Sequence, residues 1–113
     1  MSHDFYSAVK ARRTVYTLSK KSTLSDARIE ELLKEALTHA PSAFNSQSGR
    51  IVLLLGKHHD ELWEAAKAAL KPLVPAEAFP QTEARIDGFK AAYGTVLFFE
   101  DQAVVKGFQE KFS

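Results

Sequence analysis

One stretch of the chain has the apolar spacing of a single buried helical face. From residue 29 onwards the apolar positions of that face are Ile29, Leu32, Leu33, Ala36, Leu37 and Ala40. Ser25 is a natural N-cap, and Asp26 places a negative charge near the positive end of the helix dipole. Pro41 is expected to end the helix, because proline cannot continue its hydrogen bonds. This is the clearest element that the pattern predicts.

Two continuous apolar runs predict strands, at residues 51–55 and 95–99. The first has no polar alternation, so we expect both of its faces to be covered, as in an interior strand. β-Branched and aromatic residues over 12–18 favour an extended segment. Asp60 is expected to cap a helix, and Gly94 to end one. The further stretches with helical spacing are 2–11, 60–70, 76–92 and 102–112.

Two strands are few for a domain, because three or more are normally needed for a stable sheet. The last predicted helix also carries Val105, Phe108 and Phe112 on one face, and the sequence shows no partner for that face. There is no internal repeat and no linker. We therefore expect one domain over residues 1–113, incomplete as a monomer.

The composition is typical of a soluble globular protein, with 45% hydrophobic and 26% charged residues among 113. A net charge of +1 provides no basic field of the kind that drives nucleic-acid binding. The absence of cysteine excludes disulfides, thiolate metal sites and thiol nucleophiles. The N-terminus lacks the layout of a signal peptide, and no apolar run is long enough to cross a bilayer. We expect a cytoplasmic protein with neither a membrane nor a nucleic-acid partner.

Arg12, Arg13 and Thr14 are the first candidate binding residues. Two guanidiniums and a hydroxyl at the end of a helix suit a phosphate, because Arg meets phosphate oxygens in a bidentate fork. The alternative is that the two arginines only balance the negative end of the helix dipole.

The polar connector before the first strand is the second candidate. Its polar side chains belong to Ser42, Asn45, Gln47 and Arg50. Side-chain amides both donate and accept, which suits the edge of a heteroaromatic ring with alternating carbonyl and N–H groups. Phe44 could stack on such a ring. The alternative is a loop that satisfies its own backbone through Asx-type turns.

The remaining polar residues are weaker candidates. His58 and His59 are adjacent, so they diverge on a helix or a strand and do not suit a shared metal. Glu100 and Asp101 diverge for the same reason. The sequence contains no Ser-His-Asp set with recognisable local context, no glycine-rich phosphate loop, and no HExxH or EF-hand pattern.

Four longer phrases follow one another along nearly the whole chain. They are Arg12-Arg13-Thr14-Val15-Tyr16, His39-Ala40-Pro41-Ser42-Ala43-Phe44-Asn45-Ser46-Gln47-Ser48, Val74-Pro75-Ala76-Glu77-Ala78-Phe79 and Phe89-Lys90-Ala91-Ala92-Tyr93-Gly94-Thr95-Val96-Leu97-Phe98-Phe99-Glu100-Asp101. Together they resemble the flavin-dependent nitroreductase family, and within it the fatty-acid-repression-mutant type.

The resemblance implies an α+β fold with a central sheet flanked by helices, working as an intertwined homodimer with FMN at the subunit interface. This chain resembles the N-terminal part of that fold, and we expect it to be incomplete. Tyr16 stands where many relatives have a basic residue, so no cation is assigned to the flavin pyrimidine there. The cofactor-binding residues that the resemblance implies are Arg12, Arg13, Thr14 and Tyr16 on one side, and Pro41, Ser42, Ala43, Phe44, Asn45 and Gln47 from the partner subunit.

The implied chemistry has two steps. NADH or NADPH gives hydride to flavin N5 and leaves, and a nitroaromatic or quinone-type acceptor then enters and is reduced. The flavin carries this chemistry, so neither a catalytic side chain nor a metal is expected. The alternatives are a non-catalytic flavin- or ligand-binding dimer with a lipid-linked regulatory role, and an inactive fragment.

Overall fold

Two antiparallel strands form the centre of the fold, and helices lie on both sides of them. The structure is a computed structural model, and it describes residues 4–112. This arrangement belongs to the α+β class that the family resemblance implied. The elements in chain order are helix α1 (Phe5–Ala11), helix α2 (Asp26–His39), a 3₁₀ turn (Ala43–Asn45), strand β1 (Gly49–Leu55), helix α3 (Lys57–Leu70), helix α4 (Phe79–Lys90), strand β2 (Gly94–Glu100) and helix α5 (Gln102–Phe112).

Strands β1 and β2 pair along their whole length, from Gly49 opposite Glu100 to Leu55 opposite Gly94. Successive side chains point to opposite faces, so one face of β1 lies towards α2 and the other towards α3. The prediction that both faces are fully covered is wrong. None of the described β1 residues is buried, and Val52 is 42% exposed. The reason is that one helix on each side cannot shield a sheet whose margins are open.

Helix α2 begins where the sequence predicted. The Ser25 hydroxyl accepts a hydrogen bond from the Arg28 amide at 3.1 Å, which caps the helix. The helix ends at His39, shortly before Pro41. The predicted burial of its apolar face is wrong, because α2 packs extensively only against β1 among the described elements. None of its residues is buried in the part of the chain that the structure describes, and Leu37 is 45% exposed.

Helix α3 begins earlier than predicted. Gly56 has φ 57° and ψ −130°, a backbone conformation that residues other than glycine adopt only with strain. The chain therefore turns from β1 directly into a helix at Lys57, and the prediction that Asp60 caps this helix is wrong. The Asp60 carboxylate instead accepts a hydrogen bond from Lys20 at 2.8 Å. That bond holds the pKa of Asp60 below its ordinary value of 3.8.

Helices α4 and α5 both form where the sequence pattern predicted them, although the ends of α4 differ from the prediction. Helix α4 is shorter than the predicted 76–92, and Gly94 begins β2 instead of ending the helix. Pro80 lies in the first turn of α4, where a missing N–H costs little. Helix α5 matches the predicted 102–112. No helix in residues 4–112 is both long and apolar enough to span a membrane.

The buried side chains lie where α3 and α4 pack against each other and against β2. Ile86 is 4% exposed, and the rings of Trp63 and Phe89 are 5.0 Å apart between their centroids. His59 has no exposed surface. This small cluster is the core of the described part of the chain.

Charged pairs also join α3 to α4. Lys67 lies 2.5 Å from Asp87, and Lys90 lies 2.8 Å from Glu64. The hydrogen bond that Lys67 donates to Asp87 raises the pKa of Lys67, and the one that Lys90 donates to Glu64 raises the pKa of Lys90. The same contacts lower the pKa of Glu64, with Lys90 as the main cause. The pairs are exposed, so they contribute modestly to stability.

The N-terminal arm, residues 4–17, is exposed along its whole length. Asp4 caps α1 by accepting a hydrogen bond from the Ser7 amide at 2.8 Å. The predicted helix over 2–11 is confirmed from residue 5, and residues 2 and 3 lie outside the described part. Arg12 is extended, and the segment after it has no regular structure and pairs with neither of the described strands.

Candidate functional site

An open groove of about 860 Å³ lies between the α2–β1 loop and the neighbouring ends of α2, β2 and α5. Residues 40–50 provide most of its lining, and Glu100, Val105 and Phe108 complete the other side. Six of the residues predicted to bind a cofactor line this groove. They are Pro41, Ser42, Ala43, Phe44, Asn45 and Gln47.

The loop at the groove has an unusual backbone. Phe44, Asn45 and Gln47 have φ values of 53°, 52° and 53°. Asn adopts this left-handed region readily, whereas Phe and Gln do so at a cost of about 1 kcal/mol or more each. The Ser42 hydroxyl accepts a hydrogen bond from the Gln47 amide at 3.1 Å. The loop therefore satisfies part of its own backbone, as the alternative interpretation predicted, but through the Ser42 hydroxyl five residues away and not through an Asx-type turn.

The loop is also attached to the end of β2. Ser48, which is 6% exposed, donates a hydrogen bond from its hydroxyl to the Glu100 carboxylate. The carbonyl of Ser48 accepts a hydrogen bond from the Asp101 amide at 2.7 Å. Arg50 donates to the carbonyl of Gln47 at 2.9 Å, and its guanidinium is 3.2 Å from the Asp101 carboxylate. Glu100 and Asp101 thus diverge, as predicted, and each carboxylate binds a different residue.

Two polar side chains of the loop remain free to bind a ligand. The amides of Asn45 and Gln47 are exposed at the groove and form no side-chain hydrogen bond with any residue that the structure describes. Each amide presents one acceptor oxygen and two N–H donors. The groove can therefore bind the edge of a ring that alternates donors and acceptors.

Phe44 stacks on the aromatic face of α5. Its ring centroid lies 4.7 Å from that of Phe112 and 6.0 Å from that of Phe108, with planes 17° and 25° apart. The helix face for which the sequence showed no partner is therefore covered in part by the loop. Phe44 remains 74% exposed, so its outer surface is open to the solvent.

The other candidate segment lies in the N-terminal arm, outside the groove. Arg13 donates to the backbone carbonyls of Lys10 and Arg12, at 2.6 and 2.8 Å. It therefore satisfies the end of α1, as the alternative interpretation predicted. The side chains of Arg12, Thr14 and Tyr16 form no hydrogen bond with a described residue. The fold of this chain does not bring the two candidate segments together.

Sequence reasoning missed one buried polar group, which lies away from the groove. The Nε2 atom of His59 is 3.0 Å from the carbonyl oxygen of Lys90, so this nitrogen donates, and Nδ1 accepts from the Thr95 hydroxyl at 2.7 Å. Trp63 donates to the same hydroxyl at 2.9 Å. His58 is exposed, so the two histidines diverge as predicted. Residues 4–112 contain no cluster of three or more potential metal ligands.

The family model, the related protein and the solved structures that resemble this chain are each described as nitroreductases. The family model for the nitroreductase family matches residues 9–111. Nitroreductase FRM2 of Saccharomyces cerevisiae is 32% identical over 113 residues, covering 96% of this chain and 54% of that protein. Solved structures of nitroreductase CinD from Lactococcus lactis, in complex with chloramphenicol and with 4-nitrophenol, are 42% and 44% identical, with TM-scores of 0.78 and 0.75. Each again covers 96% of this chain and 54% of the other, so the chain spans about half the length of these relatives.

Proposed function

The chain belongs to the nitroreductase family, and on that premise we propose that it forms part of an FMN-dependent oxidoreductase that uses NADH or NADPH. The observation that carries the proposal is the pair of free amides, Asn45 and Gln47, held by a left-handed loop at an open groove. Such a groove, with aromatic and polar groups together, is typical of a cofactor site.

The free groups on this chain fit both ends of FMN. The edge of the flavin pyrimidine alternates carbonyl and N–H groups, which the amides of Asn45 and Gln47 can meet. Arg12 and Thr14 offer a free guanidinium and a free hydroxyl, which suit the phosphate and the ribityl chain. When bound, FMN supplies hydride transfer between the nicotinamide and the acceptor. The part of the protein is binding and orientation, and no side chain is assigned a catalytic role.

We propose that the site is shared between two copies of the chain. The Arg12 segment lies outside the groove of its own subunit, so the arm of one copy would meet the loop of the other. The arm also leaves five apolar or aromatic residues more than half exposed, which supports cover by a second copy. They are Phe5, Tyr6, Val9, Val15 and Tyr16.

The proposed acceptors are nitroaromatic compounds and quinones. CinD, which is 42% and 44% identical to this chain in these two structures, was solved with chloramphenicol and with 4-nitrophenol, and both of these molecules carry a nitroaromatic ring. That supports the first class, whereas quinones rest on the family resemblance alone. A cytoplasmic location stays a prediction from the sequence.

Titration with FMN, followed by quenching of flavin fluorescence, tests the proposal. Replacing Arg12 with alanine should weaken binding about tenfold or more, because a hydrogen bond to a charged group contributes roughly 1.5–3 kcal/mol. Arg85→Ala is the matched control, since Arg85 is an exposed residue of α4 outside the groove. Absence of FMN binding, or an equal loss in the two variants, would contradict the proposal.

Oxidation of NADH or NADPH with 4-nitrophenol as acceptor then separates two functions of a flavin-binding chain. Turnover is the expected result for an oxidoreductase. Tight FMN binding without turnover would instead favour the second function, a flavin-binding dimer that does not catalyse a reaction.

A further inference from the structure

We propose that Glu100 and Asp101 are positioning residues, which hold the α2–β1 loop in the conformation that binds the flavin. With Ser48 and Arg50 they form a set of contacts that we call the carboxylate clamp. The inference rests on the proposed function. It gives a role to Glu100, which lines the groove, and to Asp101 next to it, neither of which is among the residues proposed above to bind FMN.

The first half of the clamp fixes Ser48 through both its side chain and its backbone. Ser48 is one of two buried polar residues in the described part of the chain. Its hydroxyl donates to Glu100, and its carbonyl accepts from the Asp101 amide at 2.7 Å. The hydroxyl oxygens of Ser46 and Ser48 are 3.4 Å apart. A hydrogen bond from a hydroxyl to a carboxylate is stronger than one between neutral groups. The C-terminal end of the loop is therefore tied to β2.

The second half of the clamp acts on the backbone of the loop itself. Arg50 donates to the carbonyls of Gln47 and Gly49, each at 2.9 Å, while its second nitrogen contacts Asp101 at 3.2 Å. The other oxygen of Asp101 accepts from the Ala103 amide at 3.0 Å and so caps α5. The orientation of Gln47 is thereby linked to the start of α5.

The clamp explains how a strained loop can stay in one conformation. Three left-handed residues, Phe44, Asn45 and Gln47, would relax to other backbone angles unless their surroundings determine them. Holding a binding loop in its bound shape strengthens binding, because less ordering is needed when the ligand arrives. Glu100 is exposed and lies outside the buried cluster of α3, α4 and β2. Its loss should therefore change the loop far more than the overall stability.

Three variants test the clamp in the full chain, by FMN titration and by the visible circular dichroism of bound FMN. Glu100→Ala should weaken FMN binding about tenfold, the equivalent of one lost charged hydrogen bond. Glu100→Gln should stay within roughly threefold of wild type, because its amide oxygen can still accept from Ser48. Asp87→Ala is the matched control, because it removes a carboxylate that binds Lys67 away from the groove. It should leave binding unchanged.

Hydrogen exchange of the Gln47 amide gives a second readout, which needs no flavin. The backbone N–H of Gln47 donates to the Ser42 hydroxyl in the clamped loop. Its exchange should become about tenfold faster in Glu100→Ala and remain slow in Glu100→Gln. If wild type does not bind FMN, the proposed function fails and the clamp is judged on this amide alone. Wild-type exchange in Glu100→Ala, or an equal effect of Asp87→Ala, would overturn the proposal.

Discussion

Replacing Gly94 with alanine should destabilise the protein through the close approach of the two strands. A β-carbon at this position would lie 2.9 Å from the backbone oxygen of Leu54 and 2.5 Å from the Cδ2 atom of Leu55. The Leu55 methyl can move away, but the backbone oxygen belongs to the paired strand and cannot move without disturbing the sheet. Its distance is 0.5 Å short of the 3.4 Å at which ordinary contact begins (3.4 minus 2.9). Overpacking of this kind costs about 1–3 kcal/mol.

The same substitution at Gly107 should have the opposite sign and serves as the matched control. Gly107 lies inside α5, and in residues 4–112 no atom beyond its chain neighbours and the nearby helix backbone is within 4 Å of an added β-carbon. Alanine favours a helix over glycine by roughly 0.5–1 kcal/mol, so Gly107→Ala should stabilise the chain. The two variants make the same chemical change, one at a crowded position in a strand and the other at an open position in a helix.

Urea unfolding measures the free energy of unfolding of each variant, Gly94→Ala and Gly107→Ala. The fluorescence of Trp63, the single tryptophan, reports on the region next to β2, since its indole donates to Thr95. Circular dichroism reports on the helices, α5 included. A Gly94→Ala variant as stable as wild type would refute the close approach of the strands. A gain of equal size in both variants would show that alanine acts through the unfolded chain instead.

Two other predictions concern polar contacts within the chain. Thr95→Val should cost about 1–3 kcal/mol in the same urea assay, because His59 and Trp63 lose a shared hydroxyl and leave buried polar atoms unpaired; unchanged stability would contradict the buried network. Lys20→Ala should raise the pKa of Asp60 towards 3.8 in an NMR titration. The pKa of Asp60 is lowered in the folded state. The stabilisation from its contact with Lys20 is therefore complete above about pH 4, and it is lost as the pH falls through the pKa of the folded state. The variant should therefore lose less stability in acid than wild type, and an unmoved pKa would show that the Lys20 contact is absent.

Local signals in the sequence predicted much of the secondary structure. The start of α2 follows from Ser25, whose bond to the Arg28 amide spans three residues. The two strands and α5 follow from short apolar runs and helical spacing. In each of these cases the residues that determine the element lie next to one another in the chain, so no knowledge of packing is needed.

Burial could not be predicted in the same way. The apolar face of α2 and the two faces of β1 have the pattern of buried surfaces, yet Leu37 and Val52 are exposed. A periodic pattern indicates which side of an element is apolar, but not whether another element covers it. The start of α3 was missed for a related reason, because the turn at Gly56 begins the helix at Lys57 without a side-chain cap, and the carboxylate of Asp60 binds Lys20 instead.

For the site too, features carried by neighbouring residues were predicted, and contacts between residues far apart in the sequence were not. Composition pointed to the α2–β1 loop, and the structure places that loop at a groove. The part played by Glu100 and Asp101 was missed, since their partners Ser48 and Arg50 lie 52 and 51 positions away in the sequence. His59 was missed likewise, because Thr95 is 36 positions away.

Subunit complementation tests the central claim of a shared flavin site most directly. Two variants with weakened FMN binding would be unfolded and refolded together, and assayed at an FMN concentration that fills wild type but neither variant. They are Arg12→Ala, defective in the arm, and the double variant Asn45→Ala and Gln47→Ala, defective in the loop. Random pairing makes about half of the dimers mixed, and each mixed dimer holds one intact site, so FMN binding should return to roughly a quarter of the wild-type capacity. Binding no higher in the mixture than in either variant alone would contradict the shared site.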